Sequence, residues 1–425
     1  MARNRVISNH DRSWPIRMDR QEGPVQHGAM DHSEPPTDLD AVRRYRLARV
    51  QSEMKRQDVP GLLLLDPINT RYVTDCTNMQ IWCMHFETRC VFVPAEGPVT
   101  LLDYADMPFL AEGLPTVDNY GVMKAHYFFA AGNRMAEWAE AFGTQIGDLM
   151  RRYCPGENRL AIDRLSNLGG SAIQDLGFEI VDGQGVAEVA RSVKSPEELE
   201  LMKAAIAVAD KGMHAMRQAL QPGITENALW AKLHEANIAE GGEWIETRLL
   251  SSGPRTNPWF HESSMRVIEA GDMVSFDTDL VGPYGYCADI SRAWVCGDVW
   301  SQEQADLYQL AREQVEVNME VIKPGMSYRE IAEKSWPIPD RFKKNRYGCL
   351  AHGVGLCDEF PSIPYREDLE EYGYDGVVEP GMVLAVESYI GEEGAMEGVK
   401  LEQMIHVTET GRELLSHFPL EEFEA

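Results

Sequence analysis

Residues 271–292, GDMVSFDTDLVGPYGYCADISR, carry three acidic side chains, Asp277, Asp279 and Asp289. The apolar alternation before Asp277 predicts a strand, and the glycines and proline of 282–285 predict a turn into a returning strand. Strand side chains repeat every second residue, so Asp277 and Asp279 share one face and Asp289 returns beside them. Three like charges held together are costly unless a cation lies among them. The hairpin therefore predicts a metal site.

The pattern of this stretch recurs later in the chain. EAGDMVSFD at 269–277 resembles EPGMVLAVE at 379–387, and in both a glycine follows the glutamate by two residues and a carboxylate ends an apolar run. Upstream, PGITE at 222–226 resembles PGMS at 324–327. Self-similarity at a nearly fixed offset indicates a duplication. We therefore expect a domain with a pseudo-twofold repeat, in which equivalent strands bring carboxylates to a shared centre.

The second half of the repeat extends the ligand set. Glu387 and Glu402 lie on predicted strands, and LAHGVG at 350–355 contributes His352, with glycines that permit close approach of the backbone to a ligand. Carboxylates with one imidazole suit divalent Fe, Mn, Co or Zn. Two such ions about 3.5–4 Å apart form the usual bridged pair. A single acidic residue is more often a surface residue, but a set placed by a repeat is better explained by metal binding.

Composition narrows the possible functions. The 425 residues carry a net charge of −28, which disfavours nucleic acid and anionic membranes as partners. No apolar run approaches the roughly 18 residues of a membrane-spanning helix, and the first residues lack the apolar core of a secretory signal. The eight cysteines form no CxxC pair, so we expect a reducing cytoplasm.

The chain divides by pattern into an arm and two domains. Residues 1–38 are polar, contain several prolines and predict an irregular arm. Residues 39–190 alternate predicted helices and strands, which predicts an α/β domain. A capping box from Ser195 to Glu198 marks the first helix of the second domain, 191–425. The overall class is α+β. The predicted strands of the first domain are 61–66, 89–94, 98–103, 160–163 and 178–183.

Together these residues resemble the pita-bread metallopeptidase family, which includes methionine aminopeptidase, aminopeptidase P, prolidase and creatinase. The resemblance spans about residues 40–420, from a creatinase-type N-terminal domain through the linker KSPEELELM at 194–202. It implies a dinuclear metal centre in the C-terminal domain, and His261 matches the substrate-side histidine of the family. Creatinase-like members are dimers, so the resemblance also implies a homodimer. The implied metal ligands are Asp277 or Asp279, Asp289, His352, Glu387 and Glu402.

Two departures from the peptidase pattern argue against hydrolysis. Peptidases carry a small residue, usually glycine, where this chain has Asp279, and they carry a second histidine where this chain has Asp358. A dinuclear hydrolase needs an activated water as its nucleophile, and the carboxylate of Asp279 would take the position of that water. Asp358, when ionised, only accepts hydrogen bonds, so it can take a proton. We expect both Asp277 and Asp279 to contact metal.

This altered pattern resembles the dimethylsulfoniopropionate (DMSP) lyases of marine bacteria within the same fold. That resemblance implies cleavage of DMSP, a small zwitterionic sulfonium compound, to dimethyl sulfide and acrylate. Asp358 would be the general base, and the substrate carboxylate would bind a metal, for which the resemblance favours iron. Tyr347, Trp259 and His261 are the predicted substrate-binding residues. Because a sulfonium prefers aromatic faces, the further aromatic candidates are Phe260, Phe360, Trp82 and Phe86.

Other functions stay open on the sequence. An Xaa-Pro dipeptidase or aminopeptidase P is the main alternative, although it predicts the second histidine that is missing here. A metal-free creatinase, or a catalytically inactive binding protein of the family, would have lost metal ligands, and this chain retains them. An aromatic residue taken singly is more often part of a core than of a cation site.

Overall fold

The computed structural model describes residues 35–104 and 107–423, and the backbone of residues 5–7. Most of the predicted arm over 1–38 lies outside the described residues. Arg5–Ile7 lies in the region predicted to be irregular, but it forms a short strand, β1. The chain divides into two compact units. The N-terminal unit is Asp38–Glu198, and the C-terminal unit comprises the remaining described residues.

A six-stranded mixed sheet forms the centre of the N-terminal unit. The strands are β2 (Gly61–Leu64), β3 (Cys90–Pro94), β4 (Thr100–Asp103), β5 (Asn119–Val122), β6 (Arg159–Ile162) and β7 (Glu179–Asp182), and the helices are α1 (Leu39–Arg56), α2 (Pro67–Thr74), α3 (Gln80–His85), α4 (Phe128–Ala131), α5 (Met135–Tyr153), α6 (Asn167–Gln174) and α7 (Gln184–Ser192). The strand order in the sheet is β5-β4-β3-β2-β6-β7. The core combines apolar side chains of the sheet with those of the long helix α5, such as Phe142 and Ile146.

The C-terminal unit begins within α8, whose capping box is present as predicted. The backbone N–H of Ser195 donates to Glu198, and the N–H of Glu198 donates to the Ser195 hydroxyl. The division between the units falls after Glu198, somewhat beyond the predicted boundary at 190. Glu198 groups with the N-terminal unit because it is buried against Arg46 of α1, whose Nε lies 3.2 Å from Glu198 Oε1.

The remaining elements all lie in the C-terminal unit. The helices are α8 (Pro196–Ala219), α9 (Glu226–Ala239), α10 (Gln302–Val321), α11 (Tyr328–Lys334) and α12 (Leu369–Tyr372), and the strands are β8 (Trp244–Ile245), β9 (Leu250–Ser252), β10 (Met273–Asp277), β11 (Leu280–Val281), β12 (Cys287–Ala288), β13 (Ser291–Val295), β14 (Val299–Ser301), β15 (Ala351–Val354), β16 (Asp358–Ile363), β17 (Val383–Ile390), β18 (Val399–Val407) and β19 (Arg412–Leu414). Strand β1 pairs in parallel with β14.

The predicted internal repeat is confirmed by matching backbone contacts in the two halves. Strands β9-β10-β13 form one sheet, and β15-β17-β18 form the corresponding part of a five-stranded sheet, β16-β15-β17-β18-β19. The N–H of Gly271 donates to Cys296 O and that of Gly381 donates to Val407 O, both at 2.8 Å. Each glycine has a positive φ, 87° and 92° respectively, so glycine is required at the same turn in both halves.

The predicted hairpin over 271–292 is present, but its strands are interrupted at the acidic residues. Strands β10 and β13 pair as far as Asp277 opposite Ser291, and pairing resumes with β11 and β12. Between them the Thr278 hydroxyl donates to Ala288 O at 2.7 Å and so replaces a ladder hydrogen bond. Asp279 adopts a left-handed φ of 36°. The simple alternation that predicted one continuous strand therefore fails at residues 278–279.

None of the described helices combines the length and the apolar character needed to cross a membrane.

Candidate metal centre

Two overlapping groups of side chains form the centre. Asp277 and Asp279 flank the interruption after β10, and Asp289 lies opposite, between β12 and β13. Ligand atoms of these three residues all lie within 4.8 Å of one another. Asp289 also belongs to a second such group with His352 of β15 and Glu402 of β18. The structure thus brings together the three carboxylates of the hairpin and joins them to the second half of the repeat.

His352 is oriented by its own backbone environment. Its Nδ1 lies 3.1 Å from Gly353 O, and because a carbonyl only accepts, Nδ1 carries the hydrogen. Nε2 then faces the carboxylates, 3.3 Å from Glu387 Oε1 and 3.4 Å from Asp289 Oδ2. Glu387 and Glu402 face each other across β17 and β18 in direct register. Every predicted metal ligand therefore lies in one cluster.

The residues fit divalent cations. Three buried carboxylate oxygens, Asp277 Oδ1, Asp289 Oδ1 and Glu402 Oε1, have no hydrogen-bond partner within the described part of the chain. Buried polar atoms are normally satisfied, so unsatisfied oxygens on residues of these two overlapping groups indicate a ligand. Oxygen atoms with one imidazole are donors that Fe, Mn, Co and Zn accept.

The carboxylates of the cluster repel one another, and this repulsion changes their pKa values. Burial, followed by the charges of neighbouring carboxylates, raises the pKa of Asp279, Asp289 and Glu402 well above the usual range. Asp277 differs: burial raises its pKa, but the charge of Lys400 together with side-chain hydrogen bonds from its neighbours lowers it overall. The cluster therefore retains protons that a bound cation would displace.

Sequence reasoning missed Lys400, which lies inside the cluster and is fully buried. Its Nζ is 2.6 Å from Glu387 Oε2, 3.1 Å from Asp277 Oδ2 and 3.4 Å from Glu402 Oε2. Nζ also donates to Ser291 Oγ at 2.6 Å. A signal was present in the sequence, because Lys400 precedes Glu402 by two residues on a buried strand and so shares its face.

Asp279, the carboxylate that peptidases lack, is held by hydrogen bonds from the segment that precedes β9. The Thr247 hydroxyl donates a short hydrogen bond to its Oδ2, and its backbone oxygen accepts from the N–H of Glu246 at 3.0 Å. The side chain is 6% exposed and does not point into solvent. Its place in the group with Asp277 and Asp289 supports the expectation that it is a metal ligand.

Asp358 lies at the rim of the cluster as the first residue of β16. Its side chain reaches solvent, yet close packing around it raises the pKa of its carboxyl; His352 lowers that pKa and Asp277 raises it again. Asp289 is also within hydrogen-bonding reach of Asp358. A carboxylate with a raised pKa that water or a substrate can reach is suited to accept a proton.

Aromatic residues surround Lys400 and extend to the surface. The Tyr347 ring lies 4.5 Å from Lys400 Nζ and stacks on Phe260, which is 60% exposed, with ring centroids 5.5 Å apart. Trp259 is largely buried, 5.8 Å from Lys400 Nζ. His261 Nδ1 lies 3.0 Å from Pro258 O. The ring faces of Tyr347 and Trp259 therefore already lie beside a cation.

The other aromatic candidates make ring contacts of their own. Phe360 packs against Tyr328 and Tyr374, at centroid distances of 6.2 and 5.8 Å. Trp82 and Phe86 belong to the N-terminal unit, where their rings lie 4.7 Å apart. They form an exposed aromatic cluster that also includes Tyr127 and Phe129.

Comparison with known proteins places this geometry in a family. Residues 200–409 match the model of metallopeptidase family M24, and residues 46–193 match the creatinase/prolidase N-terminal domain. Among similar sequences are the dimethylsulfoniopropionate lyases DddP of Roseobacter denitrificans, 42% identical, and Roseovarius nubinhibens, 41% identical. Each match covers 392 residues, which is 90% of this chain and 87% of the relative.

Solved structures agree on the fold. The Xaa-Pro dipeptidase of Bacillus anthracis aligns with a TM-score of 0.71 at 22% identity, covering 90% of this chain and 99% of that one. The prolidase of Pyrococcus furiosus aligns with a TM-score of 0.66 at 22% identity, covering 86% and 99%. The chain therefore belongs to the M24 metallopeptidase family in its two-domain creatinase/prolidase form, and within it to the branch of the dimethylsulfoniopropionate lyase DddP.

Proposed function

We propose that this protein is a dimethylsulfoniopropionate lyase that forms dimethyl sulfide and acrylate by β-elimination. The observation that carries the proposal is Asp358, a solvent-reachable carboxylate beside the metal centre, at the position where peptidases have a histidine. The identity of 41–42% to two DddP lyases over 90% of the chain supports the same reaction.

In this reaction Asp358 accepts the proton from the carbon next to the substrate carboxylate. The electrons of that C–H bond form the new double bond of acrylate. The C–S bond breaks, and its electrons leave with sulfur, which changes from a sulfonium cation to neutral dimethyl sulfide. The leaving group needs no acid, so one base is sufficient. The raised pKa of Asp358 makes its ionised form a stronger base than an ordinary aspartate.

The proposed cofactor is a pair of divalent metal ions, with iron favoured and Mn, Co and Zn as alternatives. When bound, the ions supply positive charge that stabilises the negative charge developing on the substrate carboxylate. The proposal is supported by the buried oxygens of Asp277, Asp289 and Glu402 that have no hydrogen-bond partner among the described residues. The full set of proposed ligands is Asp277, Asp279, Asp289, His352, Glu387 and Glu402.

Tyr347, Trp259 and His261 remain the proposed substrate-binding residues. Burial and the nearby carboxylates raise the pKa of Tyr347, so its hydroxyl stays protonated and can donate to the substrate carboxylate. Phe260, stacked on Tyr347 and exposed, offers an open ring face to the sulfonium.

The proposed assembly is a cytoplasmic homodimer that binds neither nucleic acid nor membrane. The net charge of −28 supports the absence of both polyanionic partners. The exposed aromatic cluster of the N-terminal unit supports the dimer, since Phe129 is 73% exposed and Trp82 is 37% exposed. Exposed aromatic groups of this kind are typical of interaction surfaces.

Headspace detection of dimethyl sulfide from DMSP tests the proposal. The wild type should release it, whereas Asp358→Asn and Asp358→Ala should lose roughly 10²–10⁴-fold in kcat with metal content and thermal stability retained. Asp375→Asn, an exposed carboxylate away from the centre, is the matched control and should behave as wild type. Release of proline from Xaa-Pro dipeptides without dimethyl sulfide would favour the peptidase alternative instead.

A further inference from the structure

The strongest unexplained feature of the centre is the fully buried ammonium group of Lys400. A lone buried cation is costly, and this one is compensated by contacts to Asp277, Glu387 and Glu402 between 2.6 and 3.4 Å and by the Ser291 hydroxyl. The face of the Tyr347 ring, 4.5 Å away, adds a cation–π contact.

None of these Lys400 contacts uses the buried carboxylate oxygens that lack a hydrogen-bond partner in the described part of the chain. Lys400 approaches Asp277 through Oδ2 and Glu402 through Oε2, whereas Asp277 Oδ1 and Glu402 Oε1 have no hydrogen-bond partner among the described residues. Glu402 Oε1 faces His352 instead, whose Nε2 lies 3.8 Å away. One oxygen of each carboxylate is thus committed to Lys400, and the other remains available for a ligand. Lys400 and the proposed ions do not need the same atoms.

The number of charged groups in the cluster also favours a structural role for the Lys400 ammonium. Once a bound metal has displaced their protons, the five clustered carboxylates carry five negative charges, which equal in number the positive charges of two divalent ions and one ammonium. The fifth of these carboxylates, Asp279, is the one that the peptidase pattern lacks, so in total charge it is matched by the buried ammonium.

We propose that Lys400 is a positioning residue, a permanent internal cation that holds the carboxylates in place before metal binds and neutralises the charge added by Asp279. The proposal rests on the metal site of the proposed function but not on its lyase reaction. Without Lys400 the gathered carboxylates would repel one another wherever they are ionised, or would have to retain additional protons, until ions enter. Metal loading should therefore compensate for the loss of Lys400, which it would not do for a residue that only fills space.

Thermal unfolding of the full chain, in chelator and after metal loading, tests this assignment. Lys400→Met should lower the Tm of the ion-free protein much more than that of the loaded protein, so the gap between the two forms should widen. Lys400→Arg, which keeps the charge, should leave the gap near that of the wild type. Lys323→Met, at an exposed site, is the control and should not change the gap.

Two results would overturn the proposal: a gap that is unchanged in Lys400→Met, including the case in which both Tm values fall equally, or a gap that Lys400→Arg widens as much. Recovery of Lys400→Met in folded form only when metal is present during refolding would support it. Failure to fold even with metal, while Lys400→Arg folds normally, would count against it. Because no measurement uses DMSP, a negative result here is separate from failure of the lyase assay.

Discussion

At the scale of single residues, Asp279 carries the clearest prediction about the metal centre. Its carboxylate is buried with those of Asp277 and Asp289, so Asp279→Asn keeps the shape but removes a proposed ligand charge. We expect metal affinity to fall at least as much as the roughly 10–100-fold typical of supporting residues. Titration of the ion-free protein measures this, with Asp375→Asn as the control. Unchanged affinity in Asp279→Asn would remove Asp279 from the ligand set.

A second prediction follows from the raised pKa values of Asp289 and Glu402. Because the ion-free cluster retains protons at pH values where ordinary carboxylates are fully ionised, metal must displace them. His352, whose pKa its carboxylate partners raise despite burial, acts in the same direction. Metal affinity should therefore rise steadily from pH 6 to pH 8, as measured by equilibrium dialysis. Affinity that is flat over this range would show that these groups are already deprotonated.

The residues of the centre were predictable to different degrees. The strand period and the repeat predicted that Asp277, Asp289 and Glu402 would meet, and the structure groups them accordingly. Lys400 was not predicted, because a lysine in a strand is usually read as a solvent-facing residue. Its burial follows from packing against carboxylates that come from both halves of the repeat, and the local sign of it is only the two-residue spacing from Glu402, which places both side chains on one strand face.

At the scale of elements, the repeat makes a paired prediction. Gly271 and Gly381 both have positive φ, and a Cβ at Gly271 would meet no other atom within 4 Å. Alanine at Gly271 should therefore cost only backbone strain, about 1–2 kcal/mol, or roughly 2–8 °C in Tm, and alanine at Gly381 should cost at least as much. Gly411→Ala, equally open but without a positive φ, should be nearly neutral. Equal Tm values for all three variants would argue against the shared turn.

The element pattern also shows where sequence reasoning reaches its limit. Buried apolar runs predicted β2, β3 and β4, which the structure confirms with small shifts at their ends. Strand β5, NYGV, was not predicted, because it is a partly exposed edge strand whose glycine and asparagine favour other conformations. The interruption at Thr278 depends on a side chain that replaces a backbone hydrogen bond, which alternation does not encode.

At the scale of the whole molecule, the proposed dimer makes a prediction about the exposed aromatic cluster of the N-terminal unit. Light scattering should give a mass twice the 47.9 kDa of the chain. Phe129→Ser should shift the equilibrium toward monomer, because it removes an exposed ring that would be buried in the dimer. Phe109→Ser, 63% exposed outside this cluster, is the matched control. A monomeric wild type would contradict the dimer.

The proposed enzyme eliminates dimethyl sulfide without using water, in a family whose peptidases use water to hydrolyse their substrates. The products formed in ¹⁸O-labelled water test this difference most directly. The metal-loaded wild type should convert DMSP to equal amounts of dimethyl sulfide and acrylate, and the acrylate should carry no ¹⁸O. A labelled 3-hydroxypropionate product would show that water attacks the substrate. Its appearance, or the absence of dimethyl sulfide, would contradict the roles assigned to Asp279 and Asp358.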